Sequence, residues 1–105
     1  MSPPKAILDD LVARICRVVE PKRIVLFGSS ARGTAGPESD LDVLVIVNDD
    51  VPRRKIAMKI YREMVGLGLP VDLVVATDAV IQKYGSSQAL IYEPALREGK
   101  ELYAA

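Results

Sequence analysis

The sequence predicts a small mixed fold of the α/β (α+β) type, one β-sheet flanked by helices, in a single domain spanning residues 1–105. Three observations predict it. Short β-branched runs at 24–27, 41–47 and 71–76 alternate with stretches whose apolar residues recur at helical spacing. Gly and Pro residues stand between the runs and punctuate them. Apolar residues make up 50% of the chain, too many for a disordered segment and enough for a packed core.

Residues 5–19 read as an amphipathic helix. Ile7, Leu8, Leu11, Val12, Ile15, Val18 and Val19 form one face, with Asp9, Asp10, Arg14 and Arg17 opposite. Pro3 and Pro4 suit a helix start. Ile24-Val25-Leu26-Phe27 is brief, apolar and closed by Gly28, which marks a buried strand. A short helical turn is expected over 29–33 and a loop over 36–39. Leu41–Val47 is the second strand. A helix is expected over 52–66, with Asp50 as N-cap, Pro52 in the first turn, and Gly66 and Gly68 at its end. Its core positions are Ile56, Ile60, Met64 and Leu67. Val71–Ala76 is the third strand. Residues 78–97 read as two helical pieces broken near Gly85-Ser86, with Thr77 capping the first and Ser86 or Ser87 the second. Gly99 stops the last helix, and Glu101-Leu102-Tyr103 form a short edge strand.

Composition excludes several chemistries. One cysteine, Cys16, rules out an internal disulfide, and the absence of histidine removes Cys/His zinc sites and His-based triads. Any metal must take oxygen ligands, which favours a hard ion such as Mg²⁺. Fourteen basic residues balance fourteen acidic ones, so direct nucleic-acid binding is not expected at whole-chain level. No apolar run approaches the length of a membrane span, and Met1-Ser2-Pro3-Pro4-Lys5 lacks a secretion pattern, so a cytoplasmic location is expected.

The informative stretch lies between Leu26 and Val47. Gly28-Ser29 is followed, after ten residues, by Asp40-Leu41-Asp42. Residues two apart on a strand share a face, so Asp40 and Asp42 stand side by side at the head of an apolar strand. Two carboxylates about 4 Å apart repel by about 4 kcal/mol at an effective dielectric near 20. A divalent cation removes that penalty. Gly28 ends a strand and Ser29 opens a helical turn, where backbone N–H groups and a hydroxyl can hold a phosphate. Neither a Walker A loop nor a Gly-x-Gly-x-x-Gly fingerprint is present. Asp72, inside the apolar run Val71–Val75, is costly there unless paired or metal-bound. It can join the cluster if its strand lies beside the second one. Asp78 is a weaker candidate, because Thr77-Asp78 reads as a helix cap.

Together, Leu-Phe-Gly-Ser-Ser-Ala-Arg-Gly and Ser-Asp-Leu-Asp-Val-Leu-Val resemble the DNA polymerase β-type nucleotidyltransferase superfamily, and within it the minimal nucleotidyltransferase (MNT) family. The likeness extends to Val-Asp-Leu-Val and to Leu-Arg-Glu-Gly-Lys-Glu-Leu-Tyr near the end of the chain. It implies a nucleotidyltransferase fold with a small mixed sheet. It implies that Gly28 and Ser29 hold the β- and γ-phosphates of ATP, with Arg32 in reach. Asp40, Asp42 and Asp72 would be the catalytic carboxylates and ligands of Mg²⁺, with two ions expected. Transfer of AMP to an acceptor hydroxyl follows. The resemblance further implies a HEPN-type helical toxin as partner, silenced by adenylylation of a tyrosine. Two rivals stand beside this reading: an antitoxin that acts by occlusion alone, and a small-molecule nucleotidyltransferase whose acceptor site lies on a separate subunit.

Two features lie outside the motif. Arg53, Arg54, Lys55, Lys59 and Arg62 form a basic stretch without an acid, which is a docking face for an acidic partner or RNA, or simply a solvated helix face. Ala89, Leu90, Ile91, Tyr92, Ala95 and Leu96 exceed what one helical face can bury, which points to an apolar interface, with a partner or a second copy of the chain.

Overall fold

The computed structural model describes residues 3–28, 31, 40–84 and 92–105. Helix α1 (Lys5–Val18) leads into strand β1 (Arg23–Phe27), then β2 (Leu41–Val47), α2 (Arg53–Glu63), β3 (Val71–Thr77), α3 (Asp78–Tyr84), α4 (Tyr92–Glu98) and β4 (Lys100–Ala104). The four strands form one mixed sheet in the order β3-β2-β1-β4. β1 is antiparallel to both β2 and β4, and β2 is parallel to β3. A parallel pair needs a crossover, and α2 supplies it.

Each face of the sheet has its own core. One face carries Ile24, Leu26, Leu41, Val43, Val45 and Val47 and is covered by Leu8, Leu11 and Ile15 of α1 and by Ile56 and Ile60 of α2. The other carries Val25, Phe27, Leu44, Ile46 and Ala76 and is covered by Ala95, Leu96, Val80 and Ile81 of α3 and α4. This explains why β2 is apolar throughout Val43–Val47: it is central and buried on both faces.

The predicted elements appear with small shifts at their ends. α1 starts directly after Pro4, as expected. Thr77 caps α3 through its hydroxyl, which accepts from the Val80 amide at 3.3 Å. Asp50 does not cap α2. Pro52 is the N-cap residue there and no side chain caps the helix, because the helix begins one residue beyond the proline and leaves Asp50 in the preceding turn. α2 also ends at Glu63 rather than 66, and Gly66 and Gly68 lie in the turn beyond it with φ of 87° and 105°. Ala95 is buried and Leu96 half-buried in the second core, so these two are spent on packing rather than on the apolar interface expected of their segment. Ala89, Leu90 and Ile91, the expected turn over 29–33, the loop over 36–39 and the caps Ser86 and Ser87 lie outside the described residues, Ala31 excepted. Among the described residues no helix is long and apolar enough to cross a membrane.

One polar contact ties α1 to α2. The Arg14 guanidinium donates to the carbonyls of Glu63 and Val65 at 2.5 and 2.7 Å, and to Asp10 at 3.0 Å. Those carbonyls belong to the end of α2, where the helix itself offers no donors. Arg14→Ala is therefore expected to cost about 1–3 kcal/mol in urea unfolding. Arg17→Ala, which breaks an exposed 3.4 Å pair with Glu63, is expected to change stability by less than about 0.5 kcal/mol.

Candidate nucleotide and metal site

Of the expected functional residues, Asp42, Asp72 and Gly28 come together at one end of the sheet. β2 and β3 pair in parallel with Asp42 level with Asp72. Side chains level with each other on adjacent strands share a face. By alternation that face also carries Leu44 and Ile46 on β2, and Val74 and Ala76 on β3. The two carboxylates thus stand where this face meets the end of the sheet. Asp42 is half-buried and Asp72 exposed. Asp40 is exposed one residue before β2 begins. The Leu41 amide donates to the Pro70 carbonyl at 2.9 Å and fastens the two strand starts together.

Gly28 closes the group from the other side. Phe27 pairs with Asp42 across the β1–β2 ladder, and Gly28 follows with φ +70°. A Cβ there would collide with the Asp42 Oδ2 and lie 3.1 Å from its carboxyl carbon. The glycine therefore does two things. It makes the left-handed turn out of β1, and it leaves the volume that the Asp42 carboxylate fills. Gly28 and Asp42, from the two halves of the sequence motif, are in fact packed against each other.

Adjacent strands lie about 4.8 Å apart. Two unit charges at that spacing repel by about 3 kcal/mol at an effective dielectric near 20, and by less where Asp72 meets water. The donors are all carboxylate oxygens, the ligand type that Mg²⁺ takes. Among the described residues no group of three or more acidic, cysteine or histidine side chains is already drawn together as a metal cage. Ser29 and Arg32 lie outside the described residues. Asp78 stands apart from this group, at the far end of β3. Six residues of strand separate it from Asp72, about 20 Å, and it pairs with Lys22 instead. That hydrogen bond holds the Lys22 ammonium above its ordinary pKa.

Sequence reasoning missed Tyr61. Its hydroxyl accepts a hydrogen bond from the Leu73 amide at 2.9 Å. β3 is an edge strand, so that N–H has no strand partner on its outer side. Tyr61 thereby ties the end of α2 to the residue next to Asp72. No local pattern signals this contact, because it joins residues twelve positions apart on two elements.

The role of Gly28 can be isolated by comparison. Gly66 also has positive φ, but nothing lies within 4 Å of a Cβ built there. Gly66→Ala is expected to cost about 1 kcal/mol in chemical unfolding, from backbone strain alone. Gly28→Ala is expected to cost about 1–3 kcal/mol more, from the collision with Asp42. Combining it with Asp42→Gly is expected to recover that excess and not the strain.

The comparisons with known proteins agree with this fold. Residues 8–96 match the family described as nucleotidyltransferase domain. A chain of a crystal structure of a toxin–antitoxin with AMP-PNP superposes with a TM-score of 0.63 at 24% identity, over 93% of this chain and 73% of that one. A chain of the Shewanella oneidensis complex of a tri-AMPylated HEPN toxin with its MNT antitoxin gives 0.59 at 20%, over 96% and 72%. The MntA–HepT toxin–antitoxin gives 0.58 at 20%, over 97% and 74%. At these identities the likeness is one of fold. Among curated proteins none matches the chain. The family match spans most of the sequence, including β1, β2 and β3 with their glycine and carboxylates, and the chain belongs to the nucleotidyltransferase domain family.

Proposed function

We propose that this nucleotidyltransferase moves AMP from ATP to a tyrosine hydroxyl of a HEPN-type helical toxin and acts as its antitoxin. The observation that carries the reading is the parallel register that sets Asp42 level with Asp72, beside the Gly28 turn. The structural neighbours that include AMP-PNP and an AMPylated HEPN toxin support the choice of nucleotide and acceptor.

In this reading the turn at Gly28 and Ser29 binds the β- and γ-phosphates through backbone N–H groups and the serine hydroxyl. Arg32 adds a positive charge. Asp40, Asp42 and Asp72 hold Mg²⁺, and the oxygen-only donor set fits that ion. Bound there, Mg²⁺ offsets the negative charge of the triphosphate and of the departing pyrophosphate. Asp72, the exposed acid at the rim, orients the tyrosine hydroxyl and accepts its proton. The phenolic oxygen then bonds to the α-phosphorus as the bond to the β-phosphate oxygen breaks. Pyrophosphate leaves on the Gly28 side, opposite the acceptor. With its acids paired on a rigid sheet, the chain needs little rearrangement to position the reactants.

Asp42→Asn and Asp72→Asn are each expected to lower AMP transfer by about a hundredfold or more with the fold retained. The assay is labelled ATP with the co-expressed HEPN-type protein, read by intact mass. Mg²⁺ is expected to raise the melting temperature of the native chain and not of Asp72→Asn. Transfer at native rate by either variant would exclude the carboxylates as the catalytic site. For the phosphate cradle, Ser29→Ala and Gly28→Val are expected to weaken Mg·ATP binding in calorimetry, the valine more because it also strains the turn. Unchanged affinity in both would place the triphosphate elsewhere.

A further inference from the structure

The surface of α2 that faces away from the sheet has two distinct stripes. Ile56 and Ile60 point into the core, followed by Met64 in the next turn. Met58, Tyr61 and Val65 recur at helical spacing on another side, and they are the only exposed large hydrophobics among the described residues. Val65 is 81% exposed and Met58 58%. Beside them Lys55, Lys59 and Arg62 form a second stripe at the same spacing, and Arg53 and Arg54 extend the charge at the start of the helix. Among the described residues none of these five cations makes an ion pair.

Apart from Tyr61, neither stripe is needed by the fold. Exposed Met and Val contribute nothing to folding, and five neighbouring cations repel one another. The charge is also concentrated. The chain outside α2 holds nine basic against thirteen acidic residues, so α2 is a positive face on an otherwise acidic molecule. Met, Tyr and Arg together, with an apolar strip beside a charged one, are the composition of a protein interface. A nucleic-acid surface would show the charge without the exposed apolar strip. Tyr61 is bonded to the Leu73 amide, next to Asp72 in sequence, so the last turn of α2 lies at the end of the sheet that carries the carboxylates, on the opposite face.

We infer that the outer face of α2 docks an acidic protein surface with an apolar centre, and that this surface belongs to the protein that carries the acceptor hydroxyl. The inference rests on the adenylyl-transfer reading for the identity of that protein, and on the α2 stripes for the surface. Met58 and Val65 meet the partner's apolar centre, and Lys55, Lys59 and Arg62 steer and orient it.

The experiment uses the full chain and the co-expressed HEPN-type protein. Two variants are made at exposed positions: Lys55→Glu/Lys59→Glu/Arg62→Glu, and Met58→Ser/Val65→Ser. Circular dichroism and Mg·ATP calorimetry should match the native chain in both. Affinity for the partner is expected to fall about tenfold or more in each, and native binding to weaken about tenfold between about 50 mM and about 500 mM NaCl. AMP transfer to the partner should fall in parallel at limiting concentration. Native affinity in both variants, or no complex with the native chain, would overturn the inference. So would loss of self-association alone, which assigns the face to a second copy. Loss of binding to a labelled single-stranded RNA oligonucleotide alone would overturn it as well. A complex that depends on α2 but yields no AMP adduct sinks the transfer reading and upholds the docking face. Equal adducts from native and variant chains do the reverse.

Discussion

The pairing of β2 with β3 is the constraint on which the rest depends. A parallel register that sets Asp42 level with Asp72 forces two carboxylates onto one face of the sheet. A slip of one residue would turn every β3 side chain to the opposite face. Leu73 and Val75 would then leave the core of α1 and α2, and Asp72 would enter it. The packing of Val71, Leu73 and Val75 under α1 and α2 thus holds the acid on the other face: the packing that stabilises the sheet also fixes the carboxylate pair. The repulsion between the two acids is accepted by a strand whose remaining residues are well packed.

Around that pair the molecule divides its labour by face and by end. The face covered by α1 and α2 is a plain apolar core, anchored by Ile15, Leu11 and Ile60 at full burial. The other face is apolar under α3 and α4 and turns acidic at the strand ends beyond them. Gly28 sits where the two regimes meet, because its missing side chain is what allows the Asp42 carboxylate to lie against the turn. Helix α2 has three roles on three sides. It packs with Ile56 and Ile60, fastens the β3 edge through Tyr61, and leaves a basic and apolar surface to solvent. Arg14 binds its last carbonyls and keeps that helix in register with α1.

Much of this was legible from residues alone, for physical reasons. Strand and helix periods are local, so β2 and the core positions of α1 and α2 follow from spacing. The proline before α1 and the threonine before α3 act within one turn, and both behave as their chemistry dictates. The exclusion of zinc and disulfide chemistry is a matter of composition. The association of Gly28-Ser29 with Asp40-x-Asp42 is a motif, and its resemblance led to the family that residues 8–96 match. Where local reasoning competed with a neighbour it failed: Asp50 is a good capping residue, but Pro52 takes the cap position and starts the helix too late for it.

Tertiary structure decided what joins residues far apart in the chain. Whether Asp72 meets Asp42 depends on strand order and register, which are long-range pairings with no local signature. That Gly28 makes room for Asp42, rather than only for a phosphate, depends on the β1–β2 ladder bringing them within contact. The apolar surplus read in the C-terminal segment proved to be core at Ala95 and Leu96, because α4 lies on the sheet, while among the described residues the exposed large hydrophobics are those of α2 and the turn after it. Composition and period determine which segments are helix, strand and core. The meeting of carboxylates and glycine turn is decided only when the sheet closes, because burial rewards the assembled faces and not any single segment.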